Sequence, residues 1–388
     1  INAPAVSSSD IKPGTTYANS WPTVLIKPFT NLTGDSESNY MGIGLATELS
    51  TALARYQDIQ VLMHGPEGKP KRVSDTPARF TVEGSVRKDD TEISVNVQLI
   101  DSASNMQILR ESYNTLPVPS QIIDFQEKLT EKIAFAIAGE HGSISKTIAK
   151  ESRVKPLNEL TTYEAILRYN EYDRFVNEET YIPALEALTH ASKKEPDCGQ
   201  VWALLGRLHS DNIVHEYFDT NITLEQAIAY AVKGVLINPY NQRERVILAV
   251  LRMFCDKIDA AKAETERALA LNPESLFYMD VIGYLLTLLG DWERGTMLIK
   301  KALNLNPYNH NFVHYALWLN YFRTKQYKPA YLETMNITIT ENFWEPLARA
   351  ATLGQLGRIE EGKQAAKELL TLKPDFQTRG RKLIKYFI

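Results

Sequence analysis

The sequence predicts two structural regions: an α/β domain with a mixed sheet of about five strands and two helices, then an all-α solenoid of helical hairpins. Two observations lead to this prediction. Residues 79–114 alternate apolar and polar side chains, which is the pattern of half-buried strands. Further along, Pro239, Pro273 and Pro307 close apolar segments at intervals of 34 residues, the length of two antiparallel helices with their turns. The predicted divisions are a linker over 1–20, the α/β domain over 21–150 and the solenoid over 151–388.

The composition is that of a soluble globular protein. Of 388 residues, 44% are apolar and 23% are charged, and the net charge of −4 argues against a nucleic-acid partner. No run of 18 apolar residues predicts a membrane span. Cys198 and Cys255 are too few for a disulfide framework or a four-cysteine zinc site. Residues 1–20 are small, polar and proline-containing, so we interpret them as a linker left after truncation or processing of a longer chain.

The α/β domain begins with a strand, a helix and a second strand. Residues 22–29 form a short apolar run bounded by prolines, and residues 59–62 form another. Between them, Leu45, Leu49 and Leu53 recur at helical spacing, which predicts a helix over 45–56 that packs on the sheet. Two strands joined through a helix are expected to pair in parallel, with a right-handed connection.

Three alternating segments follow and predict an antiparallel meander. They cover 79–88, 92–101 and 106–114, and polar turn residues separate them. In the middle segment valines and isoleucines share one face and polar residues the other, so one side of the sheet is expected to be wet or lightly covered. A long amphipathic helix over 120–145, which loses its period after Gly139, completes the domain.

Two motifs of this region are similar to those of a known family. The stretch PFTNLTGD at 28–35 and the stretch VEGSVRK at 82–88 resemble the TolB-like amino-terminal domain. In bacteria that module commonly precedes tetratricopeptide repeats in class III adenylate or guanylate cyclases and in membrane-anchored winged-helix transcriptional regulators. The 388 residues contain neither a cyclase catalytic domain nor a winged helix. The resemblance therefore implies the sensory or scaffolding part of a signalling protein. It also implies attachment to a membrane span or output domain upstream of residue 1.

The solenoid carries small residues at constant distances from its closing prolines. Two positions of each repeat mark the predicted crossing of its two helices. Twelve residues before the closing proline stand Ala184, Ala227, Ala261, Gly295 and Gly362. Five residues before it stand Ala191, Gly234, Ala268, Ala302 and Leu369. Small side chains at a helix crossing allow the close approach of two backbones. The stretch WALLGRLH at 202–209 resembles the tetratricopeptide pattern, and five to six repeats are predicted. An insertion at 214–222 and the segment 336–343 depart from it.

The sequence offers little for catalysis. No Gly-x-x-x-x-Gly-Lys-Ser/Thr loop and no Gly-x-Ser-x-Gly elbow is present. His310 and His314 have the spacing of two metal ligands on one helix face, but Asn311 stands where a zinc protease needs glutamate. Groove-lining or surface histidines are the alternative. We therefore expect no enzyme activity, no catalytic residue, no metal and no cofactor.

The concave side of the solenoid is the predicted binding site. The resemblance to tetratricopeptide repeats places positions 2, 5, 9 and 12 of each first helix on this side. The partner-binding residues selected in this way are Arg207, Arg243, Asp280, Tyr284, His314, Trp318, Tyr321 and Trp344. Aromatic residues with arginine and few lysines are typical of binding hot spots, and a protein or peptide segment is the expected ligand. The alternative is that single rings pack between neighbouring repeats.

The functional expectation is a non-enzymatic sensory or interaction module of a bacterial signalling or transcription-regulating protein. One alternative is a regulatory fragment of a nucleotide cyclase whose catalytic domain lies outside this segment. Another is a stand-alone envelope scaffold. The resemblance to membrane-anchored regulators favours a periplasmic location over a cytoplasmic one, and no direct nucleic-acid binding is expected.

Overall fold

A computed structural model describes residues 21–33, 39–63, 78–116, 119–175, 177–273, 275–276, 278–305, 312–337 and 343–385. These residues belong to two compact units, which divide between Asn170 and Glu171. Within the described residues, no helix is both long enough and apolar enough to cross a membrane.

The first unit is built on a mixed sheet. Its strands are β1 (Thr23–Ile26), β2 (Thr30–Asn31), β3 (Gln60–Met63), β4 (Phe80–Lys88), β5 (Ile93–Asp101) and β6 (Met106–Thr115). The order β3-β1-β4-β5-β6 joins β1 in parallel to β3 and β4, while β4, β5 and β6 are antiparallel. The predicted mixed sheet, including its parallel pair and its meander, is confirmed.

The short strand β2 was not predicted. Its two residues lie in parallel beside Ser85 and Val86 of β4, and the Leu32 amide donates to the Val86 carbonyl at 2.8 Å. The Asn31 side chain accepts the Thr33 amide at 2.9 Å, and the Thr33 hydroxyl accepts the Lys88 amide of β4 at 3.0 Å. Because β2 has only two residues, it carries no alternation that a sequence pattern could reveal.

Helices cover one face of this sheet. They are α1 (Asn39–Leu53), α2 (Pro119–Ala138) and α3 (Ser143–Ser152). Leu49 and Leu53 of α1 and Ile133 and Ile137 of α2 share a core with the apolar side of β4 and β5. Burial of this apolar face is the main stabilising term of the unit.

The prediction of one helix over 120–145 was wrong, because α2 and α3 are separate. Gly142 lies between them, and a Cβ there would come within 2.7 Å of the Ile137 carbonyl oxygen. The Gly142 amide donates to the Gly139 carbonyl at 2.7 Å and closes the turn. Only glycine fits this close approach, which explains why the helical period ends near Gly139.

The remaining helices belong mainly to the second unit. They are α4 (Thr162–Phe175), α5 (Glu178–Lys194), α6 (Gly199–His215), α7 (Leu224–Ile237), α8 (Gln242–Phe254), α9 (Ile258–Leu271), α10 (Met279–Leu288), α11 (Trp292–Leu305), α12 (Val313–Arg323), α13 (Tyr327–Thr334), α14 (Trp344–Gln355), α15 (Ile359–Leu372) and α16 (Phe376–Ile384). Helices α6 to α15 pair successively into five hairpins. The predicted all-α tetratricopeptide-like solenoid is confirmed.

The small residues at the predicted crossings are buried where two helices meet. A Cβ on Gly206 of α6 would lie 2.6 Å from the Ala227 carbonyl oxygen of α7. A Cβ on Gly283 of α10 would lie 2.8 Å from the carbonyl oxygen of Gly295 in α11. Both distances are shorter than a carbon-oxygen contact allows, so the hairpins close only because these side chains are absent.

Candidate functional site

The eight predicted groove residues all lie on first helices of the hairpins, namely α6, α8, α10, α12 and α14. These helices contact one another in series, α6 with α8, α8 with α10, α10 with α12 and α12 with α14. The first helices therefore form one continuous surface of the second unit. Its carboxyl half is mainly aromatic, and its amino half is mainly charged.

The aromatic half is a packed cluster. One hydrophobic core contains the side chains of Tyr284, Trp318 and Trp344. Their relative solvent exposures are 9%, 5% and 7%. Tyr315, which was not among the predicted site residues, lies at its centre. Its ring centroid is 5.3 Å from that of Trp318 and 4.8 Å from that of Trp344. For these three side chains, the structure therefore agrees with the alternative that single rings pack between neighbouring repeats.

Trp318 is also fixed by a hydrogen bond. Its indole Nε1 donates to Oγ1 of Thr352 on α14 at 2.8 Å. A buried indole N–H needs such a partner, since an unsatisfied donor costs free energy. The bond joins two successive first helices and holds the aromatic cluster in one arrangement.

Tyr321 lies at the edge of the same cluster and is partly exposed. The ammonium group of Lys300 on α11 lies 5.3 Å from its ring centroid, within the range of a cation–π contact. A partly exposed tyrosine can contact a ligand without unfolding of the repeat. Its predicted role in partner binding therefore remains a prediction that this geometry permits.

His314 is part of its own hairpin. Its Nδ1 lies 2.8 Å from Oε2 of Glu333 on α13. His310, the other member of the sequence-predicted histidine pair, lies outside the described residues. No group of three or more potential metal ligands occurs in the described parts of the chain.

At the amino end, Arg207 and Asp211 form an ion pair one helical turn apart. Arg207 Nε lies 3.2 Å from Asp211 Oδ2, and the hydroxyl of Tyr172 donates to the same oxygen at 3.1 Å. The guanidinium of Arg207 also lies 5.7 Å from the ring centroid of Phe254 on α8. Arg207 is therefore a bridge between two first helices, and it remains partly exposed.

Burial has the largest effect on the pKa of Asp211. The residue is 2% exposed, and this burial raises the pKa of its carboxyl to about 6 although Arg207 and the Tyr172 hydroxyl oppose the shift. Tyr181 packs next to Tyr172, the tyrosine that donates to Asp211. The ring centroid of Tyr181 lies 5.7 Å from the centroid of Tyr172 and 5.7 Å from that of Tyr217. Sequence reasoning missed this group, because Tyr172 and Tyr181 lie in helices α4 and α5, before the first groove position.

Arg243 and Asp280 are both buried, at 6% and 1% exposure, so neither side chain belongs to an open surface. Beside Arg243, Glu244 is buried against Gly199, where a Cβ would meet its carboxylate at 3.0 Å. Burial raises the pKa of Glu244 well above its usual value, against the opposing effect of Arg245 and Arg243. The amino half is therefore a charged layer within the stack.

The Asp211 carboxyl makes a testable contribution to the pH dependence of stability. Its pKa is higher in the folded than in the unfolded chain, so the stability that it contributes is complete below pH 3.8 and is lost as the pH rises through about 6. Asparagine at this position cannot ionise. We therefore expect Asp211→Asn to gain about 2–3 kcal/mol in unfolding free energy relative to wild type between pH 4 and pH 7.5. Urea unfolding at several pH values measures this difference.

The matched control is Asp197→Asn, which removes a carboxylate from the surface of the same unit. It should show no comparable change with pH. A difference between wild type and Asp211→Asn that stays constant from pH 4 to pH 7.5 would contradict the assignment.

A further concave feature of the first unit lies on the sheet face opposite the helices. This shallow cleft has a volume of about 620 Å³. Polar side chains link its strands: Lys27 Nζ donates to Glu83 at 2.6 Å and Gln98 Nε2 donates to Glu83 at 3.0 Å. The wet sheet face predicted from the alternation of β5 is confirmed, and Lys27 and Glu83 form an ion pair on it.

No protein-family model matches the chain. Among curated proteins, the protein named "Putative adenylate cyclase 3" from Rhizobium meliloti (strain 1021) is 22% identical over 252 residues, which make up 62% of this chain and 42% of that protein. The chain thus spans less than half the length of the curated relative that it matches.

Two solved structures are similar to parts of the chain. The APC/C hetero-tetramer Cut9–Hcn1 is similar over 66% of this chain and 48% of the other, with 13% identity and a TM-score of 0.47. TolB from Acinetobacter baumannii is similar over 36% of this chain and 30% of the other, with 16% identity and a TM-score of 0.22. Both TM-scores are below 0.5, so neither likeness supports an argument about the fold or the function of this chain.

Proposed function

We propose that the chain is a non-enzymatic sensory and interaction module of a bacterial signalling or transcription-regulating protein. Its first helices would bind a protein or peptide partner. The observation that carries this proposal is the continuous series of contacting first helices, which carries partly exposed Arg207 on α6 and partly exposed Tyr321 at the edge of the packed aromatic cluster. A preorganised surface binds with a smaller loss of conformational entropy than a mobile one.

A second candidate is the regulatory region of a nucleotide cyclase, which the similarity to the Rhizobium meliloti protein favours. The catalytic domain would then lie outside these residues, so both candidates require that this segment performs no chemistry. Production of cyclic nucleotide from ATP or GTP by the purified chain would contradict both. The stand-alone envelope scaffold is the third candidate, and the periplasmic location rests on the resemblance to membrane-anchored regulators.

The interaction proposal is tested by a pair of tyrosine variants. Tyr321→Ser removes a partly exposed ring from the first-helix surface, whereas Tyr240→Ser removes an exposed ring from the turn before α8. Truncation of a hot-spot tyrosine costs about 2 kcal/mol, which weakens binding by about thirtyfold. We therefore expect Tyr321→Ser to lose the cross-linked partner in cells that express the chain natively, and Tyr240→Ser to keep it.

Circular dichroism and thermal unfolding must show that both variants remain folded. Equal recovery of the same partner by folded Tyr321→Ser and by wild type would remove Tyr321 from the binding surface. If Arg207→Gln also left recovery unchanged, the first-helix surface would be excluded as the partner site.

A further inference from the structure

The last helix, α16, contacts a residue far from it in the sequence. Arg379 donates to Oε1 of Glu216, and Lys382 Nζ donates to the same oxygen at 3.1 Å. These pairs join residues that are 163 and 166 positions apart. In a simple stack each hairpin contacts only its neighbours, whereas Glu216 directly follows α6 and lies four hairpins before α14 and α15.

The apolar side of α16 is in contact with the repeats as well. Phe376 lies 5.5 Å from the ring of Phe343 at the start of α14, and Ile384 packs against the aromatic cluster. Gly380 and Leu383 are buried. The helix thus presents an apolar stripe at positions i, i+4 and i+7 (Phe376, Gly380, Leu383), with its two anchoring cations beside this stripe.

Glu216 is placed for this contact by the end of α6. It is the capping residue of that helix and has a left-handed backbone conformation, with φ of 57°. Its side chain is 24% exposed, and its carboxylate accepts hydrogen bonds from Arg379 and Lys382 of α16. One carboxylate therefore serves as the anchor for two basic side chains that are three residues apart on one helix.

We propose that α16 is a built-in ligand of the repeats, and that the partner is an amphipathic helix with the same pattern of apolar residues and two adjacent basic residues. Such a helix displaces α16 from Glu216 and from the edge of the aromatic cluster. The inference rests on the proposed interaction function and specifies its partner class. The alternative is that α16 is only a cap on α15, in which case the contact with Glu216 has no consequence for binding.

The test uses charge reversals in the full chain. Arg379→Glu with Lys382→Glu places two negative charges opposite Glu216 and should release α16. Arg381→Glu with Lys385→Glu makes the same change in net charge at two exposed positions of the same segment. Hydrogen–deuterium exchange reports the release of residues 376–384, and a fluorescein-labelled peptide of residues 375–385 reports whether the vacated surface binds a helix.

We expect amide exchange over 376–384 to be about fivefold faster in the first variant than in wild type, as loss of a small ion-pair network allows. The peptide should bind that variant about tenfold more tightly than it binds wild type, because the resident helix no longer competes. Adding Glu216→Gln to the same variant should reverse the gain in peptide affinity. The second variant should behave as wild type does in both measurements.

Unchanged exchange in the first variant would show that Glu216 does not hold α16, and would overturn the inference. Faster exchange without peptide binding would show that the surface does not receive helices, and would overturn it as well. Neither result affects the Tyr321 and Arg207 experiments, so failure of this inference is distinguishable from failure of the proposed function.

Discussion

Replacing Gly295 by alanine is expected to lower the free energy of unfolding by about 3 kcal/mol. A Cβ at this position would lie 2.3 Å from Thr287 Oγ1 and 2.6 Å from the Gly283 carbonyl oxygen. These atoms belong to α10, which packs against α11 along its length. The two helices must separate to admit the methyl group, and the hairpin then loses contacts on both sides.

The matched control is Gly354→Ala. Gly354 lies within α14, and a Cβ there would have no atom within 4 Å. Alanine is a better helix former than glycine, so this change should stabilise the chain by about 0.5–1 kcal/mol. Urea unfolding followed by circular dichroism measures both variants. Equal effects of the two substitutions would contradict the close crossing of α10 and α11.

Replacing Trp318 by alanine is expected to cost about 4 kcal/mol in unfolding free energy. The indole is 5% exposed and packs against Tyr315, Phe322 and other rings of the cluster. Its removal leaves a cavity between α12 and α14 and leaves the Thr352 hydroxyl without its indole donor. The same urea series measures this loss, and near-ultraviolet circular dichroism reports the order of the remaining rings.

Thr352→Val separates the hydrogen bond from the packing. Valine keeps the shape of threonine but cannot accept the indole N–H, so the expected cost is about 1–2 kcal/mol. A Trp318→Ala variant that kept wild-type stability and lost its partner would show that the indole contacts the ligand directly. That outcome would contradict the packing role assigned to Trp318.

The repeats were predictable because their determinants are local and periodic. A proline follows α7 and α9 at the predicted interval, and small residues such as Ala261 and Gly295 are buried at the predicted crossings. The strand and helix order of the first unit was predictable for the same reason. The two-residue strand β2 and the break at Gly142 were not, because each depends on a contact with atoms elsewhere in the fold.

The character of the candidate site was less predictable than its position. The helical period placed Trp318 on a first helix, but it could not show that Tyr315 would pack against its ring or that Thr352 would accept its indole N–H. It also could not reveal the contact of Arg379 with Glu216, since the two residues belong to distant repeats. Side-chain burial in a solenoid depends on how successive hairpins stack, and a single-repeat pattern does not contain that information.

The most direct test of the interaction function is a hydrogen–deuterium exchange footprint of the full chain with the partner recovered in the Tyr321 experiment. The account predicts that the partner slows exchange in the first helices α6, α8, α10, α12 and α14, most strongly around Tyr321, and leaves the second helices α7, α9 and α11 unchanged. Protection confined to the second helices or to the sheet of the first unit would contradict it.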